Sequence, residues 1–268
     1  MCRKLATPVR VWDFAGEFNR SVGGISGIFN DFITRMYEKW SERILQVDFG
    51  RIRTCVESLA GLFVGAGSPL PRVWGLIDGT LRHTCRPVIY EEVIYNGKDR
   101  VHGLKFQGVL TPDGIMVEFS GPYVGRQHDA RIYAQSGLLQ RMEQGLDHSE
   151  GFWYLYGDSA YPRSEYMITS SRMAEPRSRE DRLNRVMSSL RETIEWSFGR
   201  AFTQLWLGLH DSLGVKVYLQ QVARLYPMAV FLMNCKTCLD GRNEVTDYFR
   251  SSAPSLDEYL NRAGMARR

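Results

Sequence analysis

The order of segments along this chain predicts an α/β protein, a mixed sheet with helices packed on it. Three observations carry the prediction. A helical rhythm of apolar residues runs through about residues 10 to 60. From residue 73 it gives way to compact apolar runs and a hairpin pattern. Helical rhythm then returns in the stretch after the last apolar run.

Taken in order, WDFAGEF is a short helix candidate, and Asn19, Arg20 and Ser21 form a break with capping residues. From Ser21, the residues Ile25, Ile28, Phe29, Phe32, Met36 and Trp40 keep the three-and-four spacing of an amphipathic helix. Short helix, tight break and longer helix fit either a helix-turn-helix or two helices of a plain helical subdomain. SPLPR, residues 68 to 72, is a Pro-containing linker, so the helical segment is placed at 1–67.

VWGLID, from residue 73, is a buried-strand signal. RVHGLKFQGVL and GIMVEFSGPYV flank the turn tetrad Thr111-Pro112-Asp113-Gly114, so 100 to 123 reads as a β-hairpin. Residues 129 to 145 look helical, and FWYLYGD, 152 to 158, is another buried strand. Leu183, Val186, Leu190, Ile194, Phe198, Phe202 and Leu205 then mark a strong helix. A last helix is expected over about 215 to 239, kinked or interrupted at Pro227. These elements define a second domain, 73–240, followed by a tail, 241–268.

Bulk properties exclude little. The 268 residues are 44% hydrophobic and 24% charged, enough chain to bury a core without disulfides or metals as staples. The net charge of +4 is compatible with a polyanionic partner without demanding one. MCRKLATPVR has no signal-peptide core, and LYPMAVFLMNC falls short of the roughly 20 residues of a membrane helix. A soluble intracellular protein with no membrane association is expected. Five scattered cysteines suit a reducing compartment. Cys235 and Cys238 form one Cys-x-x-Cys with no second pair nearby, so half-buried helix cysteines are favoured over a zinc site.

The chemistry lies in the acids. Asp78 and Asp158 each close an apolar strand run, where functional groups gather in open α/β sheets. Either alone could be a turn former or helix N-cap. Glu195 follows Ile194 and so lies about 100° round its helix from the apolar stripe. Arg191, four residues earlier, stacks on the same side and could hold that carboxylate. Three converging carboxylates repel one another unless a cation intervenes, and hard oxygen ligands open to water select Mg²⁺ or Mn²⁺. Two such ions about 3.5–4 Å apart can activate a water and steady the leaving oxygen of a phosphodiester.

IDGT (77 to 80), GPYVGRQHDARIY (121 to 133), GDSAYP (157 to 162) and RETIEWSFGR (191 to 200) resemble the successive motifs of the DDE superfamily endonucleases. The branch they are most similar to is the Harbinger-type transposase and its derived nucleases. LRHTCRP, YNGKDRVHGLKFQ and NCKTCLDG extend the resemblance over roughly residues 3 to 260. The 37 positions from Asp158 to Glu195 are close to that family's spacing. The resemblance implies a ribonuclease H-like fold that cuts DNA with a divalent metal. Carried over by position, Asp78, Asp158 and Glu195 are the acidic triad. Asp129 is similar to a further metal-binding acid, although an aspartate opening a helix is also an N-cap. His128 would orient a phosphate or water, or serve as a structural histidine.

The resemblance also implies DNA as a partner, multimeric action, a nuclear location and help from a Myb-like DNA-binding protein. The amino-terminal helix pair is similar to the helix-turn-helix that precedes the family's catalytic domain. Family-like sequence at the third residue implies that part of that module lies outside this chain. RMAEPRSREDRLNRVMSSLR carries six arginines against Glu175, Glu180 and Asp181, which suits phosphate contacts or a solvated face. Arg182, Arg185 and Arg191 from this stretch, with Lys105, Arg126 and His128, are the DNA-binding candidates.

Two enzyme rivals fail on position. IDGT is similar to the haloacid dehalogenase Asp-x-Asp-Gly-Thr, but Leu76 holds the nucleophile's place. GDS resembles a serine esterase, but its Asp-x-x-His partner should follow, and Asp99 with His102 precedes. The rival from another class is a domesticated, non-cutting DNA-binding or partner-recruiting protein that keeps the fold.

Overall fold

The computed structural model describes residues 2–210, 215–217 and 221–261. Five helices open the chain: α1 (Cys2–Ala6), α2 (Val11–Glu17), α3 (Val22–Trp40), α4 (Glu42–Leu45) and α5 (Phe49–Gly65). The break between α2 and α3 ends on Ser21, whose hydroxyl accepts the Gly24 N–H at 3.0 Å and caps α3. Phe29 and Ile33 are the fully buried members of the α3 stripe, while Ile28 faces outward. At its far end Trp40 stacks on Phe231, with ring centroids 5.5 Å apart. The longer helix of the pair is therefore docked on the body of the protein.

The sheet is built from β1 (Val73–His83), β2 (Tyr95–Asn96), β3 (Val101–Leu110), β4 (Met116–Val124), β5 (Tyr154–Gly157) and β6 (Met167–Thr169). Its order is β4-β3-β1-β5-β6, with the short β2 paired to the start of β3. β3 lies antiparallel to both β1 and β4, whereas β1, β5 and β6 are mutually parallel. This mixed sheet is the ribonuclease H-like arrangement. The hairpin closes where expected. Gly114 adopts φ 79° there, and a Cβ on it would stand 2.6 Å from Asn243 Oδ1.

Helices cover the sheet: α6 (Glu91–Ile94), α7 (Asp129–Ser136), α8 (Leu138–Gly145), α9 (Arg179–Gly199), α10 (Val222–Asp240), α11 (Glu244–Phe249) and α12 (Leu256–Leu260). The single helix expected over 129 to 145 is two, split where Gly137 turns left-handed at φ 67°. α9 passes without a gap into a π-helical turn, Arg200–Leu205. One core joins α1 and α3 through α5 to the sheet and to α9–α12. Inside it Glu118 is fully buried, accepting two bonds from Arg141 and one from the Val47 N–H.

Two expectations need correction. The last helix begins at Val222 and not near 215, because Val215 makes a strand-like bridge to Thr84 and accepts the Cys85 N–H at 3.0 Å. Residues 211–214 and 218–220 of that stretch lie outside the described residues. Nor does Pro227 interrupt α10, which runs on through it to Asp240 although proline lacks the N–H for the usual bond to the Ala223 carbonyl. The segment from 241 carries α11 and α12, whose Phe249 and Tyr259 are buried, and Asn234 donates to the Tyr259 hydroxyl. Residues 262–268 lie outside the described residues.

Candidate active site

β1 and β5 run side by side in parallel with Leu76 paired to Tyr156. Two residues further on, Asp78 and Asp158 come level, on the same face by the alternation of strand side chains. β5 stops at Gly157, and Asp158 opens a turn in which its Oδ1 accepts the Ala160 N–H at 2.8 Å. β1 does not stop. The expectation that Asp78 closes a strand is corrected: β1 runs on to His83, because antiparallel β3 goes on pairing with it after β5 has ended. Asp78 therefore sits mid-strand, where the parallel half of the sheet runs out. Its Oδ1 accepts the Gly79 N–H at 2.8 Å.

α9 lays Met187, Leu190, Ile194 and Phe198 into the core, which fixes the rim of that stripe over the sheet. Arg191 stands on the rim. Its Nη1 donates to Asp78 Oδ2 and lies 3.1 Å from Glu195 Oε1. The pairing with Glu195 follows from the four-residue spacing, whereas the pairing with Asp78 joins residues far apart in sequence. Glu195 is half exposed and shares with Asp78 an open cleft of about 310 Å³, walled also by Arg82, Phe198 and Thr203. A larger cavity, about 900 Å³, lies elsewhere, between α5 and the carboxyl-terminal segment.

Asp129 is the first residue of α7, but its side chain is not the cap; His128 occupies that position and makes no capping bond. The Asp129 carboxylate instead reaches the sheet, with Oδ1 3.1 Å from Lys105 Nζ. Gly79 admits it, since a Cβ there would stand 2.9 Å from Asp129 Oδ1. Asp129 is thus packed against the residue that follows Asp78.

The electrostatics tie the acids together. Burial is the largest cause that moves Asp78, pushing it up to about 7; Arg191 and the Gly79 N–H oppose this, while Asp158 and Glu195 add like-charge repulsion. The Tyr161 hydroxyl is driven well above its ordinary value, first by burial and then by Asp78, Asp129 and Asp158. Arg191 is held protonated by Asp78, Glu195 and Asp158 against its own burial. All four acids are therefore within electrostatic reach of one another's neighbours.

Whether these residues suit a divalent ion can be tested on the side chains themselves. Among the described residues no three His, Cys, Asp or Glu side chains stand ready to grip one ion, and Arg191 and Lys105 hold three of the four acids. The donor set fits nonetheless. It is all carboxylate oxygen, the choice of a hard cation. The buried Tyr161 hydroxyl also has no hydrogen-bond partner among the described residues, although three of the acids surround it electrostatically. The cysteine pair offers no such site: Cys235 and Cys238 lie in α10, and burial pushes their thiols up to about 12 and about 11.

The DNA-binding candidates divide. Lys105 and Arg191 face the acids. Arg126 and His128 are exposed on the loop leading into α7. Arg182 and Arg185 are exposed on the first half of α9, Arg185 paired with Asp181 at 2.6 Å. Arg182 lies about 20 Å from Glu195 along the axis, at 1.5 Å per residue. Sequence reasoning missed Tyr161, Gly79 and the Arg191–Asp78 bond. Tyr161 and Gly79 lie within motifs that were read for their aspartates alone.

A mixed sheet of ribonuclease H-like order, with acids brought to one edge of its parallel half, defines a nuclease-type scaffold. The DDE superfamily endonuclease family profile matches residues 77–234, more than half of the chain and all four acids, and the chain belongs to that family. No curated protein and no solved structure matches it significantly. No helix among the described residues is long and apolar enough to cross a membrane.

Proposed function

We propose that the protein is a divalent-metal-dependent DNA endonuclease of the Harbinger transposase type, hydrolysing phosphodiesters and capable of strand transfer to a DNA 3′-hydroxyl. The observation that carries this reading is that Asp78 and Glu195 share the Arg191 guanidinium while Asp158 comes level with Asp78 across the parallel β1 and β5, all within the span of the family match. Asp78, Asp129, Asp158 and Glu195 would hold Mg²⁺ or Mn²⁺. Such ions supply an activated attacking oxygen and a counter-charge for the leaving oxygen.

The chain's own contribution is placement. β1 and β5 fix two carboxylates through the sheet, and the buried stripe of α9 fixes the third from above. Arg126, His128, Arg182 and Arg185 offer exposed polar and cationic groups for the phosphate backbone on either side. Action as a multimer, a Myb-like partner and work in the nucleus belong to the same reading.

The test is conversion of supercoiled plasmid to nicked circles by the wild-type chain in Mg²⁺ or Mn²⁺, against the same mixture with chelator. Metal-dependent nicking supports the proposal. Salt-sensitive DNA binding with no nicking in either metal would instead establish the non-cutting, domesticated protein.

A further inference from the structure

The acid cluster already contains cations, and they belong to the chain. Arg191 spans the Asp78 and Glu195 carboxylates, and the Asp158 charge also acts on it. The oxygens involved matter. Asp78 Oδ1 is turned to the Gly79 N–H, so Oδ2 is the oxygen left for an ion, and Arg191 takes it. On Glu195 it takes Oε1. Lys105 does the same to Asp129 Oδ1.

We propose that Arg191 is a resident counter-ion that competes with the divalent metal, so that the site is latent until the guanidinium swings away. The inference rests on the nuclease reading above and concerns how its site is loaded. A guanidinium cannot escape by losing its proton, so it can only move. Its surroundings allow that. The side chain is 22% exposed and Glu195 is 53% exposed, so the pair is open to solvent. α9 is anchored independently by Met187, Leu190, Ile194 and Phe198, so the helix need not shift when its arginine does. Arg191 acts here through the carboxylates and is a positioning residue.

A brace and a competitor differ in sign. If Arg191 merely braces the acids, removing it loosens them and metal binding weakens. If it competes, removing its charge tightens metal binding. The experiment is a Mn²⁺ titration of the full chain, reading the free-ion signal by electron paramagnetic resonance, with thermal melts in chelator to establish folding. Arg191→Gln should bind Mn²⁺ roughly tenfold more tightly than wild type, the order expected for deleting one nearby positive charge. Arg191→Lys, which keeps the charge but replaces the planar guanidinium by a compact ammonium, should tighten binding by less. Equal or weaker Mn²⁺ binding by folded Arg191→Gln overturns the proposal. Should that variant not fold, the lysine variant decides alone, and weaker binding than wild type overturns it. Asp158→Asn separates the two readings: if it binds Mn²⁺ as well as wild type, the acids are not the ligands and the nuclease reading fails first.

Discussion

Arg191, on the rim of a long helix, is hydrogen-bonded to Asp78, in the middle strand of the sheet, across 113 positions of sequence. The bond places a helix-borne cation at the point where the parallel half of the sheet ends. It does not fully compensate the aspartate, because burial outweighs the guanidinium and holds Asp78 near 7.

Asp78→Asn should therefore stabilise the metal-free protein, and by more at pH 8 than at pH 5. The unfolded carboxyl loses its proton near 4, the folded one near 7. Between those values the folded state binds more protons, so wild-type stability falls as pH rises through the window and is level above it. Asparagine does not titrate. The gain approaches at most about 4 kcal/mol above pH 7, from a shift of about three units. Melts in chelator across this range check it, and a gain that shrinks with rising pH contradicts it.

Arg141→Met should destabilise the fold by about 3–5 kcal/mol, because it strands a buried charge. Glu118 is fully buried, and burial already pushes its carboxyl up despite Arg141 and the Val47 N–H. Urea melts measure the loss. A cost below about 1 kcal/mol would show that Glu118 is carried as the neutral acid.

Tyr161→Phe should leave stability unchanged or raise it by up to about 1 kcal/mol, since the hydroxyl it removes is buried without a partner among the described residues. Cleavage should nonetheless fall by about 10–100-fold, the usual effect of losing an outer contact to a metal site. Full activity with unchanged stability would leave the hydroxyl with no part in the chemistry.

Local pattern made much of this fold legible. The hairpin follows from its turn tetrad, the long buried stripe of α9 from a period of three to four residues, and the strand leading to Asp158 from its continuous apolar run. What escaped depends on partners distant in sequence. Nothing local says that β1 outlasts β5, because its extension past Asp78 is set by β3. Nothing local ties Val215 to Thr84, a bridge that keeps Val215 out of a helix. The four-residue step from Arg191 to Glu195 was readable on the helix, but the same guanidinium's bond to Asp78 exists only once α9 lies over the sheet. Tyr161 was in view beside Asp158, yet only packing shows its hydroxyl buried among the acids.

The measurement closest to the central claim replaces one acid that neither Arg191 nor Lys105 holds. Asp158→Asn keeps the shape of the turn after β5 and removes a single charge. Plasmid nicking in Mg²⁺ should fall at least about a thousandfold relative to wild type, while DNA affinity stays within about threefold at the same salt. Nicking that survives both this substitution and chelation would contradict the metal-dependent account.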